Sequence, residues 1–163
     1  EHAKAGKPAR ITAKMNSLIE PSVIDALYQA SAAGVQIDLI VRGMCTLRPG
    51  VKGLSENIRV RSIIGRQLEH SRVYCFHNNG ADDTFISSAD WMGRNFFRRI
   101  EVATPITTPE LKERVIREGL EMALEDNTQA WLMQPDGSYV RTQPQDGEPV
   151  FGLQEGLWKI YGR

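Results

Sequence analysis

The chain has 163 residues, a length that predicts one domain with its own hydrophobic core. Apolar residues make up 41% of it and charged residues 25%, which excludes a disordered chain. Lys plus Arg and Asp plus Glu both number 20, so an overall basic protein that coats nucleic acid is excluded and any anion site must be local. No apolar run approaches the ~18 residues that span a membrane. The chain begins at Glu1 without an initiating Met, and we interpret it as part of a longer protein.

The first part of the chain predicts a strand, a helix and a second strand. The strand is expected over residues 10–15, and the helix opens at Pro21, where the missing N–H costs nothing, and ends at Gly34. Residues 35–41 are nearly all apolar, which indicates a strand buried on both faces and hence helices on each side of the sheet. This order of elements is a βαβ unit.

The rest of the chain continues the mixed pattern. Leu111, Val115 and Leu120 are expected on the inner face of the longest helix. We predict an α/β fold in one domain over 1–163, ending in a terminal loop and helix over 142–163. The further elements expected are strands at 58–64, 72–76, 84–87, 100–106, 128–133 and 139–141, helices at 90–97, 109–126 and 150–161, and loops at 43–57, 78–83 and 142–149.

Arg42 lies directly after the buried strand and is followed by Gly43. Open α/β sheets bind ligands outside the carboxyl ends of their strands, and a glycine lets the backbone approach a ligand. The planar guanidinium suits phosphate because it carries paired donors and a permanent charge. The position of Arg42 is equally compatible with two roles, a contact to phosphate and an ion pair with an acidic neighbour.

His70 comes just before the strand predicted at 72–76, and Arg72 is the first residue of that strand. Two residues apart on an extended chain, they face the same side. An imidazole and a guanidinium on one face predict a phosphate pocket in which His70 attacks, protonates or contacts phosphate and Arg72 neutralises its charge. A lone histidine is otherwise more often structural.

Ser88 and Asp90 follow the strand at 84–87. The hydroxyl of Ser88 is a candidate phosphate donor, and Asp90 a candidate for orienting the imidazole. A plain helix cap is an equally good interpretation of both residues.

The sequence contains no Walker loop and no GxGxxG motif. No Cys/His spacing typical of metal ligands occurs, so we expect no metal site. Two cysteines are too few for a disulfide scaffold and favour a reduced, cytoplasmic setting.

The segment from His70 to Asp90 resembles a variant of the phospholipase D signature, which is His-x-Lys, an Asp five residues on, and Gly-Ser-x-Asn. Here Arg72 replaces the Lys, His77 stands at the Asp position, and Ser87-Ser88-Ala89-Asp90 replaces the last motif. These departures argue against ordinary phosphodiesterase chemistry.

Four motifs in order resemble the bacterial polyphosphate kinase family of the type built with two phospholipase-D-like domains. The resemblance implies a phospholipase-D-like mixed β-sheet flanked by helices on both faces, and it weakens only after about residue 150. The matching segments are AKMNSLIEPSVIDALYQASAAGVQIDLIVRGMCTLRPG (13–50), GRQLEHSRVYCFHN (65–78), ISSADWMGRN (86–95) and RRIEVATPI (98–106).

The resemblance implies that this chain is the second, C-terminal half of an enzyme that transfers the terminal phosphate of ATP reversibly to polyphosphate. Arg42 and His70 occupy the family's nucleotide-phosphate contacts, and His70 is expected to be the catalytic residue of this half, as phosphate contact and general acid or base. The phosphate-accepting histidine and the magnesium-binding residues are implied to lie in the first half, so magnesium is expected in the full enzyme only.

The implied partners are ATP, ADP, polyphosphate and the N-terminal domains of the same chain, with no nucleic acid. The full-length protein is expected to be a cytoplasmic homo-oligomer, with peripheral membrane association left open. The isolated half is expected to be inactive. Two other functions stay open: a phospholipase-D-like phosphodiesterase or nuclease, and a non-catalytic anion-binding module.

Overall fold

The computed structural model describes residues 1–162. A short 3₁₀ turn at Ala3–Ala5 comes before the first strand. The strands are β1 Ala9–Met15, β2 Gln36–Val41, β3 Ile58–Ile63, β4 Val73–Asn78, β5 Ala81–Ser87, β6 Ala103–Pro105, β7 Ala130–Met133 and β8 Tyr139–Arg141. The helices are α1 Pro21–Ala32, α2 Gly93–Phe97, α3 Pro109–Ile116, α4 Met122–Glu125 and α5 Leu153–Tyr161, with a π-helical segment at Arg117–Glu121 between α3 and α4.

One mixed sheet organises the chain, with the strand order β6-β5-β4-β1-β2-β3-β7-β8. Strands β1, β2 and β3 run parallel, and the β1-α1-β2 segment is the predicted βαβ unit. Strand β4 lies on the other side of β1 and runs antiparallel to it. Because of these directions, β1 and β2 end at the same edge of the sheet at which β4 begins.

Helices cover both faces of the sheet, so the predicted fold class is confirmed. On one face Leu27 of α1 packs into a buried cluster with Met15 and Leu39. On the other face Leu120 and Leu153 pack into a second cluster. Side chains alternate along a strand, so β1 sends Met15 toward α1 and its neighbour Lys14 toward the opposite face.

The β4–β5 hairpin is tighter than the predicted loop over 78–83. Asn79 and Gly80 form the turn with φ angles of 52° and 97°. Both angles lie in the left-handed region that a two-residue hairpin loop of this type requires. Asn78 and Ala81 are paired directly, so the residues after the turn belong to β5.

The long helix differs from the prediction at its first turn. Leu120 is 1% exposed as expected, but Leu111 is 52% exposed and does not lie on the inner face. Lys112 and Ile116 are less exposed than Leu111 and are spaced four residues apart, as are Ile116 and Leu120. These three residues therefore share the inner face of the helix, and Leu111 lies beside it. The prediction for Leu111 was therefore wrong.

Three other predicted elements are shorter than expected by three residues or more. The strand predicted at 100–106 is limited to β6, and Ile100 before it is fully exposed. The helix predicted from residue 150 begins at Leu153, whose N–H donates to the carboxylate of Asp126 at 2.8 Å. α2 begins at Gly93 rather than at residue 90. Among the described residues, no helix combines the length and the apolar character needed to cross a membrane.

We expect Leu120→Ala to lower the free energy of unfolding by about 2–5 kcal/mol, because it leaves a cavity between the helix and the sheet. Leu111→Ala, the matched control, is expected to change it by less than about 1 kcal/mol because Leu111 faces solvent. Urea unfolding followed by tryptophan fluorescence measures both. Equal losses in the two variants would contradict the described helix orientation.

Candidate functional site

Three chain segments meet at the edge of the sheet where β1 and β2 end and β4 begins. The N–H of Gly43 donates to the carbonyl of Asn16 at 2.8 Å, so the β1–β2 ladder continues beyond both strands. On the other side of β1, Val73 stands opposite Lys14. The residues that follow β1 and β2 therefore share an edge with those that precede β4. Open α/β sheets bind ligands at this kind of edge.

Asp90 ties two of these segments together. Its carboxylate accepts hydrogen bonds from Nε and Nη2 of Arg72 at 2.9 and 3.1 Å, a bidentate pair. The same Oδ1 atom accepts the backbone N–H of Asn16 at 2.7 Å. Asp90 is 3% exposed, so the ion pair is largely shielded from water. The carboxylate thus fixes the start of β4 against the end of β1.

These contacts determine the charge state of Asp90. Burial by itself raises the pKa of the carboxyl group, but the hydrogen bonds from Arg72 and from the backbone of Asn16 outweigh it and hold the pKa below the ordinary value of 3.8. Asp90 is therefore ionised at neutral pH, and its charge balances that of Arg72. The phosphate contact expected of Arg72 stays a prediction.

Ser88 lies in a local hydrogen-bond network beside β6. Its hydroxyl donates to the carboxylate of Glu101 and accepts the N–H of Val102 at 3.0 Å. Its own backbone N–H donates to the carbonyl of Val102 at 3.0 Å. Neither Ser88 nor Asp90 caps a helix: the N-cap of α2 is Met92, and no side chain caps it. The helix-cap interpretation was wrong, and the phosphate contact of Ser88 stays a prediction.

Arg42 follows the last residue of β2 and is half-buried. Its backbone carbonyl accepts a hydrogen bond from Oγ of Ser62 at 3.0 Å, which fixes the main chain. Within residues 1–162 its guanidinium forms no ion pair and donates no hydrogen bond. The alternative pairing with an acidic neighbour is therefore not observed.

His70 lies in the loop before β4 and is exposed. Its backbone carbonyl is 3.4 Å from Nη1 of Arg72. In the described part of the chain, its imidazole nitrogens have no hydrogen-bond partner. Of the predicted site residues that follow β2 or precede β4, Arg42 and His70 therefore have side chains without a partner in residues 1–162, whereas Arg72 is balanced by Asp90.

Sequence reasoning missed two residues of this edge. Lys14 is a buried cation whose Nζ atom lies 2.6 Å from the carboxylate of Glu69. Asn16 is 5% exposed, and neither polar atom of its side chain has a partner among residues 1–162. The signal available for Lys14 was its place in a predicted strand between the apolar residues Ala13 and Met15, but its partner is 55 positions away.

The other titratable groups lie apart from this edge or are inert. His77 pairs with Asp82 at 2.7 Å at the far end of the β4–β5 hairpin. Burial raises the pKa of the Cys45 thiol to about 11 and also raises that of Cys75, so both thiols stay protonated near neutral pH. In the described range, no three His, Cys, Asp or Glu side chains form a group that could hold a metal ion.

A sequence profile described as Polyphosphate kinase C-terminal domain 2 matches residues 1–153. The chain belongs to this family. Polyphosphate kinase from Neisseria meningitidis serogroup C is 85% identical over 162 residues, which are 99% of this chain and 24% of that protein. Polyphosphate kinase from Burkholderia vietnamiensis is 62% identical over 157 residues, which are 96% of this chain and 23% of that protein. The predicted resemblance to polyphosphate kinase is confirmed.

Solved structures agree with the family. The crystal structure of polyphosphate kinase from Porphyromonas gingivalis matches with a TM-score of 0.94 and 42% identity over 99% of this chain and 24% of that one. Nuc from Salmonella typhimurium, a phospholipase D family member, matches with a TM-score of 0.55 and 17% identity over 86% of this chain and 87% of its own. The second match shows the fold alone, which is the predicted phospholipase-D-like fold. This chain spans about a quarter of the length of the polyphosphate kinases it matches.

We expect Asp90→Asn to destabilise the chain by about 3–5 kcal/mol at pH 7, because it leaves the buried Arg72 charge without a partner. The pKa of Asp90 is lower in the folded than in the unfolded chain. The ion pair therefore contributes its full stabilisation at pH values above the unfolded pKa near 3.8, and this stabilisation is lost as the pH falls through the lowered pKa of the folded chain. Urea unfolding between pH 7 and pH 3 should show that the difference in the free energy of unfolding between the native chain and the variant becomes smaller in acid.

Asp25→Asn, at an exposed position of α1, is the control and should change the free energy of unfolding by less than about 0.5 kcal/mol. A difference in the free energy of unfolding between Asp90→Asn and the native chain that stays constant down to pH 3 would contradict the ion pair.

Proposed function

We propose that this chain is the second phospholipase-D-like half of an ATP:polyphosphate phosphotransferase, and that Arg42 and His70 bind its phosphate groups. One observation carries the proposal: the guanidinium of Arg42 and the imidazole of His70 have no partner within residues 1–162, whereas Arg72 at the same edge is balanced by Asp90. Two cationic or hydrogen-bonding groups without a partner at a ligand-binding edge suit an anionic substrate.

The names of the relatives support ATP and polyphosphate as substrates, because each relative is a polyphosphate kinase. Since the chain matches about a quarter of each, we propose that the preceding domains of the same protein complete the site. We also propose that the full protein is a cytoplasmic homo-oligomer. Two free thiols in the described chain are compatible with a reducing compartment.

Arg42 is proposed to neutralise charge on the transferred phosphoryl group. Phosphoryl transfer depends mainly on positioning and on stabilising charge spread over the equatorial oxygens. A guanidinium provides this stabilisation through two parallel N–H donors without changing its protonation state. The backbone of Arg42 is fixed by the β1–β2 ladder and by Ser62, so the side chain starts from a defined point at the sheet edge.

His70 is proposed as a phosphate contact and proton carrier. Its imidazole donates a hydrogen bond to a phosphate oxygen. When the phosphoryl group of a phosphohistidine in the first half passes from the ring nitrogen to a terminal oxygen of polyphosphate, His70 supplies the proton that the released nitrogen takes up. The nucleophilic histidine itself is assigned to that first half.

The residues of this chain do not fit a protein-held magnesium site. Within 1–162 there is no cluster of three or more metal-ligating side chains. Both carboxylates at the site edge already have partners, since Asp90 binds Arg72 and the backbone of Asn16 and Glu69 binds Lys14. We therefore assign the expected magnesium ligands to the preceding part of the protein and route no step through the metal here.

A phosphodiesterase function is less well supported. The similarity to Nuc concerns the fold alone. The lysine of the phospholipase D motif is replaced by Arg72, and the guanidinium of that residue is held by Asp90. An anion-binding module without catalysis remains the second candidate, since it would use the same free groups.

The isolated chain should bind tripolyphosphate through Arg42 and His70. We expect Arg42→Ala and His70→Ala each to weaken binding by about 1–3 kcal/mol, the value of a hydrogen bond to a charged group. Isothermal titration calorimetry at constant salt measures the change. Arg48→Ala is the charge-matched control, because Arg48 is exposed and contacts the carbonyl of Pro135 in the β7–β8 turn.

Unchanged affinity in both variants would place the anion site elsewhere and contradict the proposal. Hydrolysis of bis-p-nitrophenyl phosphate by the native chain, abolished in His70→Ala, would instead favour the phosphodiesterase.

Kinase activity requires the other half of the site. We expect no ATP-dependent polyphosphate synthesis by the isolated 163 residues. A chimaera in which this chain replaces the matching segment of the Neisseria meningitidis serogroup C enzyme should be active, because the segments are 85% identical. Arg42→Ala and His70→Ala in the chimaera should each lower kcat/KM at least about 10-fold, since each removes a charged contact.

The assay follows polyphosphate formed from radiolabelled ATP, with Arg48→Ala again as control. Synthesis by the isolated chain, or full activity of either site variant in the chimaera, would refute the assignment.

A further inference from the structure

The loop that carries His70 has almost no backbone support of its own. This segment, residues 64–72 and called here the His70 loop, connects β3 to β4 without helix or strand. At its start the N–H of Ile64 donates to the carbonyl of Gln129 at 3.1 Å, and at its end the carbonyl of Arg72 accepts the N–H of Ser87 at 3.1 Å. Between these ends the loop is held by side chains from other elements.

Gln154, the second residue of α5, provides most of this support. Its Oε1 accepts the backbone N–H of Gln67 at 2.9 Å, and its Nε2 donates to the carbonyl of the same residue at 2.8 Å. The Nε2 group also donates to the carboxylate of Glu69 at 2.8 Å. One side-chain amide thus pairs with the peptide of Gln67 as a neighbouring strand would, and reaches the residue next to His70.

Glu69 is fixed from the other side as well. Its carboxylate lies 2.6 Å from Nζ of Lys14, and the two side chains are 12% and 6% exposed. Lys14 belongs to β1, the central strand of the site. Breaking such a shielded pair leaves an uncompensated charge, so the pair holds Glu69 strongly. His70 therefore follows directly after a residue that is bound to both β1 and α5.

The contact between α5 and the His70 loop is close and fixed. Leu153, the residue before Gln154, is completely buried, and its N–H donates to the carboxylate of Asp126 at 2.8 Å. A Cβ atom added at Gly65 would lie 2.1 Å from Oε1 of Gln129 and 2.4 Å from Oε1 of Gln154, so a larger residue there would have to displace both amides. The helix presents Gln154 to the loop from a rigid base.

We propose that Gln154 is a positioning residue for His70: through Gln67 and Glu69 it orders the His70 loop before the substrate binds. The inference rests on the proposed function, because it assigns a purpose to His70. Fixing the backbone costs about 1–2 kcal/mol per residue, and a loop ordered in advance does not pay this cost on binding. The terminal helix, most of which lies beyond the profile match over residues 1–153, thereby supports the candidate site.

Gln154→Met tests the proposal, because methionine keeps the length and volume of the side chain and removes the amide. In the ¹⁵N-labelled 163-residue chain, at a temperature where all variants are folded, we expect the amide order parameters of residues 66–71 to fall from about 0.85 to below about 0.6. In the chimaera, kcat/KM should fall about 10-fold to 100-fold, the scale for misplacing a reacting group by about 1 Å.

Gln134→Met is the matched control. The Gln134 side chain is also partly buried and donates one hydrogen bond, to the carbonyl of Leu132 at 3.1 Å in the β7–β8 hairpin. Gln134→Met should leave both the order parameters of the His70 loop and the kinase activity of the chimaera unchanged.

Loss of order confined to the His70 loop, together with loss of activity, supports the proposal. An ordered loop in Gln154→Met, or unchanged activity while Arg42→Ala and His70→Ala are impaired, overturns it and leaves the proposed function standing. If Arg42→Ala and His70→Ala also keep full activity in the chimaera, the proposed function fails, and the proposal that depends on it fails with it.

Discussion

The candidate site depends on one buried ion pair, that of Asp90 with Arg72. The carboxylate binds two guanidinium nitrogens and the backbone N–H of Asn16, and so joins the end of β1, the start of β4 and the segment after β5. Removing one partner of such a pair is costly, because the remaining charge is shielded from water. The pair thereby holds together the sheet edge at which the site forms, and its hydrogen bonds keep the pKa of Asp90 low enough for the carboxylate to remain charged.

The same pair decides which cations are available to a ligand. The chain has no net formal charge, so attraction of a polyanion depends on a local arrangement rather than on a general field. Arg72 is balanced within the fold, so that among the predicted phosphate-binding cations the guanidinium of Arg42 and the imidazole of His70 are without a partner in residues 1–162. The lysine of the phospholipase D motif would stand at position 72, where Arg72 is instead paired with Asp90. This difference supports the proposed phosphoryl transfer over the hydrolysis of a phosphodiester.

The sequence predicted what depends on local patterns. The βαβ unit followed from the apolar strand at 35–41, from Pro21 and from Gly34, and Arg42 was placed at the end of that strand for the same reason. What depends on partners far along the chain was not predictable. Lys14 finds its partner 55 positions away, and Asp90 was predicted either to orient the imidazole or to cap a helix because its guanidinium partner lies in another segment. The first turn of the long helix was misassigned because a helical repeat alone does not say which face meets the sheet. The contacts of Gln154 in α5 with the His70 loop likewise could not be predicted, because Gln154 and Gln67 are 87 positions apart.

The most direct measurement is a crystal structure of the chain with tripolyphosphate bound. Our account predicts phosphate oxygens within hydrogen-bond distance of both the Arg42 guanidinium and the His70 imidazole, with Arg72 still paired to Asp90. Phosphate bound by Arg72 after release from Asp90, or an anion held at a different edge of the sheet with Arg42 and His70 untouched, would contradict it.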